Sequence, residues 1–230
     1  MIDIIPASER HFADHGWLKT HYLFSFADYY DPANIEFGAL RVFNDDIVAP
    51  GAGFPPHPHA EMEIVTIILE GEITHEDSMG TRETIGEGEV QAMTAGAGVV
   101  HSEFNLGEKS LHLYQIWIRP RKAKLPNAYG QKKFKPNQWK NKLAALASGK
   151  GAPGALKINA DATIYRCELE EGNKLSYNTN GRRTFVYLAD GELSINGKTT
   201  KKNEQARIEG EGKLELAAKK TASFVLIDVA

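Results

Sequence analysis

The feature that most restricts the fold of this chain is the alternation of short apolar runs with glycine-containing turns. The run 64–69 is rich in β-branched residues, and similar runs lie at 39–43, 89–94, 98–104 and 111–118. After residue 157 they return at 184–188, 193–195 and 224–227. Asp190-Gly191 and Asn196-Gly197 separate later runs, and such dipeptides are typical of hairpin turns. The pattern predicts an all-β sandwich or barrel.

Charge divides the chain near residue 120. Residues 1–119 carry 19 acidic and 6 basic side chains, a net of −13, whereas residues 120–230 carry 11 and 21, a net of +10. All eight histidines lie in the acidic part. We therefore predict an N-terminal domain over 1–120, a connector over 121–157 and a C-terminal domain over 158–230. A weak echo between 69–73 and 188–193 indicates that the two domains share one fold.

The predicted connector is basic and rich in proline. It holds ten lysines and arginines and no acidic residue. Asn137 is suited to an N-cap, Leu143 and Leu146 would share a face, and Gly149 can end a helix, so we predict one short helix over 137–148. Its charge fits a solvated strap on the acidic domain, or a surface for a protein partner.

Composition also restricts the compartment. A single cysteine, Cys167, excludes a disulfide framework within the chain and a zinc site built from cysteines, and it is best explained as a small buried apolar residue. No apolar run reaches about 18 residues, and no secretory signal is visible, so we predict a soluble cytoplasmic protein that does not enter membranes. The pI of about 6.3 and the lack of a recognition motif argue against nucleic-acid binding.

Two segments carry residue types that bind metals. Prolines and glycines precede His57 and His59, and a second Gly-Ala-Gly turn precedes His101 and Glu103. Residues i and i+2 of a strand point to one face, so each pair projects together. If the two strands are neighbours, three imidazoles and one carboxylate converge and would suit a divalent transition metal with open coordination positions.

The other histidines are expected to have structural roles. His75 and His112 lie in predicted strands and are interpreted as hydrogen-bonded core residues, whereas His11, His15 and His21 are assigned to surface or packing positions. For an apolar mouth to the metal site, Phe26, Phe54, Met62 and Phe104 are candidates, although each is more typical of a core residue.

Further short motifs lie in the first 120 residues. They are His15-Gly16-Trp17-Leu18, Phe24-Ser25-Phe26-Ala27-Asp28-Tyr29-Tyr30-Asp31-Pro32, Leu40-Arg41-Val42, Asn44-Asp45-Asp46, Leu69-Glu70-Gly71, Asp77-Ser78-Met79-Gly80, Thr94-Ala95-Gly96 and Leu113-Tyr114-Gln115-Ile116-Trp117. With His57-Pro58-His59 and His101-Ser102-Glu103 they resemble the cupin superfamily and, more narrowly, the pirin family with its bacterial pirin-like quercetin 2,3-dioxygenases. Beyond residue 120 the resemblance is loose.

The resemblance implies a bicupin fold, meaning two double-stranded β-helix barrels joined here by the short helical connector. It implies metal ligands at His57, His59, His101 and Glu103, and none in the second barrel, which contains no histidine. Many cupins supply the carboxylate from the first motif, but Glu63 stands one residue from the usual spacing before Gly71. Since one step turns a side chain to the other face, we expect Glu103 to be the ligand and Glu63 to have a supporting role.

The function implied by the resemblance is a dioxygenase that opens a flavonol such as quercetin with O₂ and releases CO. Glu103 would be the catalytic residue that accepts the proton of the flavonol hydroxyl. Iron is the first expectation for the cofactor, and zinc, nickel, manganese, cobalt and copper also suit these ligands. The alternative is a regulator without enzyme activity, in which the metal centre senses redox state and controls binding to a partner protein.

Overall fold

The computed structural model describes all residues, 1–230, and consists almost entirely of β-strands. In chain order the strands are β1 (Ile2–Ile5), β2 (His11–Asp14), β3 (Leu18–Tyr22), β4 (Leu40–Val48), β5 (Gly53–His59), β6 (Glu63–Glu70), β7 (Glu72–Asp77), β8 (Arg82–Gly86), β9 (Glu89–Thr94), β10 (Val99–Phe104), β11 (Leu111–Ile118), β12 (Ala128–Lys133), β13 (Ala144–Ser148), β14 (Leu156–Lys157), β15 (Ala162–Leu169), β16 (Lys174–Asn178), β17 (Arg183–Ile195), β18 (Lys198–Lys201), β19 (Gln205–Ile208) and β20 (Lys213–Val229). The only helices are 3-10 turns at Ala7–Glu9 and Pro136–Gln138. No helix has the length and apolarity needed to cross a membrane.

The chain folds into two compact units. The first unit contains His11–Phe134 and Leu156–Ala160, and the second contains Met1–Arg10, Lys135–Ala155 and Asp161–Ala230. Two stretches therefore belong to a different unit from the one that the predicted domain ranges give them. β1 pairs with β19 in the second unit, and β12, which falls in the predicted connector, pairs with β9 in the first unit.

The first unit is built from two antiparallel sheets. The larger has the order β12-β9-β6-β11-β4-β3-β2, and the smaller has the order β5-β10-β7-β8. A core cluster joins them, because Ile68 and Leu113 from the larger sheet pack with Ile73 and Ile85 from the smaller. Residues 63–68 of β6 are all buried and mostly apolar, which explains why this strand lies in the middle of its sheet.

The second unit forms around β20, which pairs with β15, β16 and β17. Its core includes Cys167, which is fully buried as predicted, and burial raises the pKa of its thiol to about 12. The carboxylate of Asp228 lies near this core and accepts hydrogen bonds from Lys150 Nζ (2.7 Å), Arg182 Nε (2.6 Å) and the Tyr177 hydroxyl (2.7 Å). One buried acid thus organises three donors.

The predicted helix over 137–148 is not formed. Its first residues make only the 3-10 turn at Pro136–Gln138, and its last five residues form β13, which pairs with β15. Leu146 and Ala147 are fully buried in this pairing. Burial in the sheet therefore overrides the helix propensity of the alanines and leucines.

The glycine dipeptides divide into two kinds of structure. Asn196 and Gly197 both have positive φ (48° and 86°) and connect β17 to β18, as a tight hairpin turn requires. Asp190-Gly191 was expected to turn as well, but β17 continues through it with shifted register against β20. Gly191 has φ of 89°, so this dipeptide forms a bulge rather than a hairpin end.

Candidate metal centre

Three of the four predicted ligands meet where β5 pairs with β10. His57 lies directly opposite His101 in the register, and His59 lies opposite Val99. The Nε2 atoms of His57 and His101 are 3.1 Å apart, and the ring centroid of His59 is 4.7 Å from that of His57 and 4.9 Å from that of His101. One nitrogen from each ring lies within 4.8 Å of the others, which is close enough for all three to bind a single ion.

A glycine and a bulge bring these strands together. A Cβ atom on Gly53 would lie 2.6 Å from Phe104 Cα and closer still to the Glu103 carbonyl oxygen, so only glycine lets β5 pack against β10 here. The register then shifts between His101 and Glu103, so that Glu103 lies opposite Phe54. His101 and Glu103 nevertheless remain buried on one face, in agreement with the predicted i, i+2 alternation.

Glu103, the fourth predicted ligand, is not in this set but in a second set of donors that shares His101. Its carboxylate, His101 and His75 offer ligand atoms within 4.8 Å of one another, so His101 belongs to both sets. Gln91 Nε2 and Gln115 Nε2 (3.0 Å) each donate to one carboxylate oxygen of Glu103. Burial opposes the charge, but His75, His101 and Gln91 outweigh it and hold the pKa of Glu103 below its usual value.

His75 lies closer to the site than the sequence indicated. Its Nε2 donates to Asp77 Oδ2 (3.0 Å), as expected for a structural histidine, but its Nδ1 lies 3.4 Å from His101 Nδ1. Burial lowers the pKa of His75, while Glu103 and Asp77 raise it by more, so the net direction is upward. His75 thus links Asp77 to the ring of His101, which is the kind of contact that orients a metal-binding histidine.

The protonation of His59 and His101 fits a bound cation. Burial, together with the neighbouring histidines, lowers the pKa of His59 to about 4 and that of His101 to about 4, so both rings are neutral at neutral pH. His57 Nδ1 lies 2.8 Å from the Pro55 carbonyl, which can only accept, so Nδ1 carries the hydrogen. His57 Nε2, which faces His101, is therefore the nitrogen left to bind an ion. Neutral imidazoles beside a carboxylate suit a divalent first-row transition metal.

A cavity of about 340 Å³ opens beside the histidines. Its wall contains the candidate ligands, several aromatic rings and a few polar groups: His15, Trp17, Leu18, Tyr22, Phe26, Ala27, Asn44, Asp46, Phe54, Pro55, His57, His59, His101, Glu103, Gln115 and Trp117. Rings meet edge to face in the pairs Trp17–Phe54 (5.1 Å) and Phe26–Trp117 (5.3 Å). The volume and the mostly apolar wall are typical of a small-molecule site.

Of the four predicted mouth residues, Phe26 and Phe54 line the cavity, whereas Met62 and Phe104 do not. Met62 packs instead against the cluster of Ile64 and Met93. His15, assigned to the surface or to packing, also lines the cavity. The sequence analysis did not assign Trp17, Tyr22 or Trp117 to the cavity, although Trp17 and Trp117 belong to its motifs, because these rings come from segments far apart in the chain.

Glu63 and His112 lie outside the cavity wall. Glu63 is fully buried outside the cavity wall, where Oε2 accepts from Thr94 Oγ1 (2.9 Å) and from the backbone N–H of Asn159 (3.0 Å). His112 Nε2 pairs with Asp45 Oδ1 at 2.7 Å, as predicted for a hydrogen-bonded histidine. These contacts agree with the interpretation of Glu63 and His112 as supporting residues.

Comparison with known proteins gives concordant results over the whole chain. The family model described as Pirin matches residues 6–118, and the model described as the quercetinase C-terminal cupin domain matches residues 145–229. The chain is 40% identical to a pirin-like protein of Caulobacter vibrioides over 232 residues, which covers 100% of both chains. It is 38% identical to the quercetin 2,3-dioxygenase of Escherichia coli (strain K12) over 231 residues, which covers 100% of this chain and 99% of that protein.

Comparison with solved structures gives the same result as comparison with sequences. The crystal structure of the bacterial pirin YhhW from Escherichia coli in complex with nickel(II) superposes with a TM-score of 0.94 at 37% identity, covering 100% of this chain and 99% of that one. Two cupin-type domains are thus confirmed as the fold. The metal in that relative is nickel, whereas nothing in these comparisons shows iron, the first expectation from the sequence.

Proposed function

The chain belongs to the pirin family, and from that premise we propose that it is a metal-dependent dioxygenase that opens the ring of a flavonol with O₂ and releases CO. The observation that carries the proposal is the position of the histidine cluster, which opens into a cavity lined by aromatic rings. A regulator that only senses redox state needs no such cavity. The names of the relatives, among them a quercetin 2,3-dioxygenase, support the same reaction class.

We assign the metal to His57, His59 and His101, with Glu103 as the fourth ligand. When bound, the ion supplies Lewis acidity towards a substrate oxygen and favours its ionised form. The three imidazoles are clustered, and His59 and His101 are neutral at neutral pH, which supports this assignment. A carboxylate oxygen of Glu103 lies within 4.8 Å of a ring nitrogen of His101, which belongs to the cluster.

Glu103 would also accept the proton of the flavonol hydroxyl. A general base must be ionised and held in place, and Gln91 and Gln115 fix both carboxylate oxygens of Glu103. Its lowered pKa keeps the carboxylate ready for a proton from a substrate. Because Gln91 and Gln115 each donate through one amide N–H, Glu103 keeps acceptor capacity for that proton.

The aromatic wall would orient the flat substrate and exclude water. Trp17, Phe26, Phe54 and Trp117 contribute rings from different elements to the same wall. Trp117 also contacts His59 edge to face, with a centroid distance of 4.7 Å. A planar polycyclic substrate would pack against these rings while its reacting oxygen reaches the histidines.

The test is consumption of quercetin and O₂ by protein loaded separately with iron, nickel, manganese, cobalt, copper or zinc. We expect loss of the flavonol absorbance, O₂ uptake and CO release with at least one metal. His101→Ala should abolish turnover and weaken metal binding while the protein stays folded, and Glu103→Gln should reduce turnover. His112→Ala is the matched control, since that histidine pairs with Asp45 outside the cavity.

Two outcomes would contradict the proposal. If protein that binds metal leaves every flavonol unchanged, the enzyme assignment fails and the sensor alternative gains. If His101→Ala keeps full metal affinity, the ion is held elsewhere and the ligand assignment fails, whatever the activity.

A further inference from the structure

Two buried polar side chains line the cavity in addition to the candidate metal ligands. Asn44 and Asp46 are 3% and 2% exposed, and both contribute to the cavity wall. They are separated by one residue on β4, so they project to the same face. Asp45, between them, points the other way and binds His112.

The protein leaves one oxygen of each side chain without a partner. Thr20 lies opposite Asp46 in the register and its hydroxyl interacts with the carboxyl group, but Asn44 Oδ1 and Asp46 Oδ1 are buried and have no hydrogen-bond partner. No lysine or arginine lines the cavity to neutralise Asp46. A buried acceptor without a donor costs stability, and native proteins keep few of them, so this pair needs an explanation other than folding.

The neighbouring polar groups show the contrast. Gln115 lies opposite Asn44 in the register, Thr66 lies opposite Gln115, and Gln91 lies opposite Thr66. Thr66 Oγ1 donates to Gln115 Oε1 (2.9 Å), and Gln91 Nε2 donates to Thr66 Oγ1 (3.0 Å). This row is fully connected and ends on Glu103, whereas Asn44, at its other end, is left with a free acceptor.

We propose that Asn44 and Asp46 form a second substrate subsite, which binds the hydroxyl groups of a polyphenolic ring. Both side chains offer oxygen acceptors, and a phenolic hydroxyl is a hydrogen-bond donor. The reacting oxygen of the substrate would lie at the histidine cluster. The subsite therefore binds other hydroxyl groups of the same molecule. This inference rests on the proposed function and adds that the substrate is hydroxylated on the ring that does not react.

The experiment measures binding rather than turnover. Metal-loaded protein is titrated, without O₂, with quercetin and with the flavonol that lacks both hydroxyls on the pendant ring. Three variants accompany the wild type: Asp46→Leu, which removes the acceptors at similar volume, Asp46→Asn, which keeps one oxygen, and Asp45→Asn as the matched control on the opposite face of β4.

We expect the wild type and Asp45→Asn to bind quercetin roughly 10–100-fold more tightly than the analogue, because the two pendant hydroxyls would donate hydrogen bonds to buried oxygen acceptors. Asp46→Leu should lose this preference by weakening quercetin alone, and Asp46→Asn should keep part of it. Because each preference is a ratio within one protein, a general loss of fold or affinity cancels.

If the wild type and both Asp46 variants show the same preference for quercetin over the analogue, the subsite is overturned. The proposed function would remain intact, since flavonols would still bind. Equal weakening of both ligands would also overturn it, because Asp46 would then act on the cavity as a whole. If neither flavonol binds the wild type, the proposed function fails, and the subsite fails with it.

Discussion

Replacing Asp46 with asparagine is expected to stabilise the metal-free protein above neutral pH and to have almost no effect on its stability near pH 4. Asp46 is buried against the cavity, whose wall holds no lysine or arginine. Burial is the largest influence and, with the negative charges of Asp45 and Glu103, it outweighs the hydrogen bond from Thr20 and the charge of His112, so the pKa of Asp46 rises from 3.8 to about 7. The folded protein therefore holds this proton more tightly than the unfolded chain.

The size of the effect follows from that difference. At 1.36 kcal/mol per pH unit, a rise from 3.8 to about 7 corresponds to about 4 kcal/mol. A raised pKa means that the stabilising contribution is complete below the unfolded pKa and is lost as the pH rises through about 7. Asparagine resembles the protonated acid and does not titrate, so Asp46→Asn should gain up to about 4 kcal/mol over the wild type by pH 8.

The assay is urea unfolding of both proteins without metal at several pH values from 4 to 8, followed by tryptophan fluorescence, since Trp17 and Trp117 lie in the first unit. The quantity of interest is the difference between variant and wild type, in which other titrating groups cancel. Asp45→Asn is the comparison variant: it loses the partner of His112 and one of the charges that raise the pKa of Asp46, so its stability should keep a reduced dependence on pH rather than lose it. A difference that stays constant from pH 4 to pH 8 would refute the reasoning, since Asp46 would then titrate alike in both states.

Three other changes test the site and its scaffold. Gly53→Ala should destabilise the first unit by about 1–3 kcal/mol and lower metal affinity, because a Cβ atom would clash with the backbone of β10. Urea unfolding measures the stability and nickel titration measures the affinity. Unchanged values would contradict the packing argument. His75→Phe, which keeps the ring but removes the nitrogen facing His101, should weaken nickel binding about 10–100-fold; wild-type affinity in a chelator competition would show that His75 does not orient His101. Asp228→Ala should destabilise the second unit by about 3–5 kcal/mol in urea while nickel affinity stays constant, because three donors lose their shared acceptor; a loss below 1 kcal/mol would mean that water replaces it.

Alternation along strands was sufficient to predict the histidine cluster. His57 with His59, and His101 with Glu103, follow the two-residue period, and the structure adds only that β5 and β10 are partners. The same period applies to Asn44 and Asp46, so their shared face could have been read from the sequence. Their role could not, because the absence of hydrogen-bond partners depends on which side chains surround them.

Features that depend on pairing between distant segments were the ones that sequence reasoning missed. The segment 144–148 has the composition of a helix, but β15 offers it a sheet edge, and burial decides the outcome. Asp190-Gly191 has the signature of a hairpin, but β20 is long enough to pair on both sides of it. His75 reaches His101 only because β7 and β10 are neighbours, which no local pattern indicates.

The position of β5 at the margin of its sheet has a consequence for how the protein takes up metal. β5 is hydrogen-bonded only to β10, and three of its seven residues are prolines, which cannot donate to a neighbour. A cation shared by His57 and His101 would therefore add a second link between β5 and its one neighbour. Ion uptake would stabilise the pairing of these two strands, and chelation would remove that contribution.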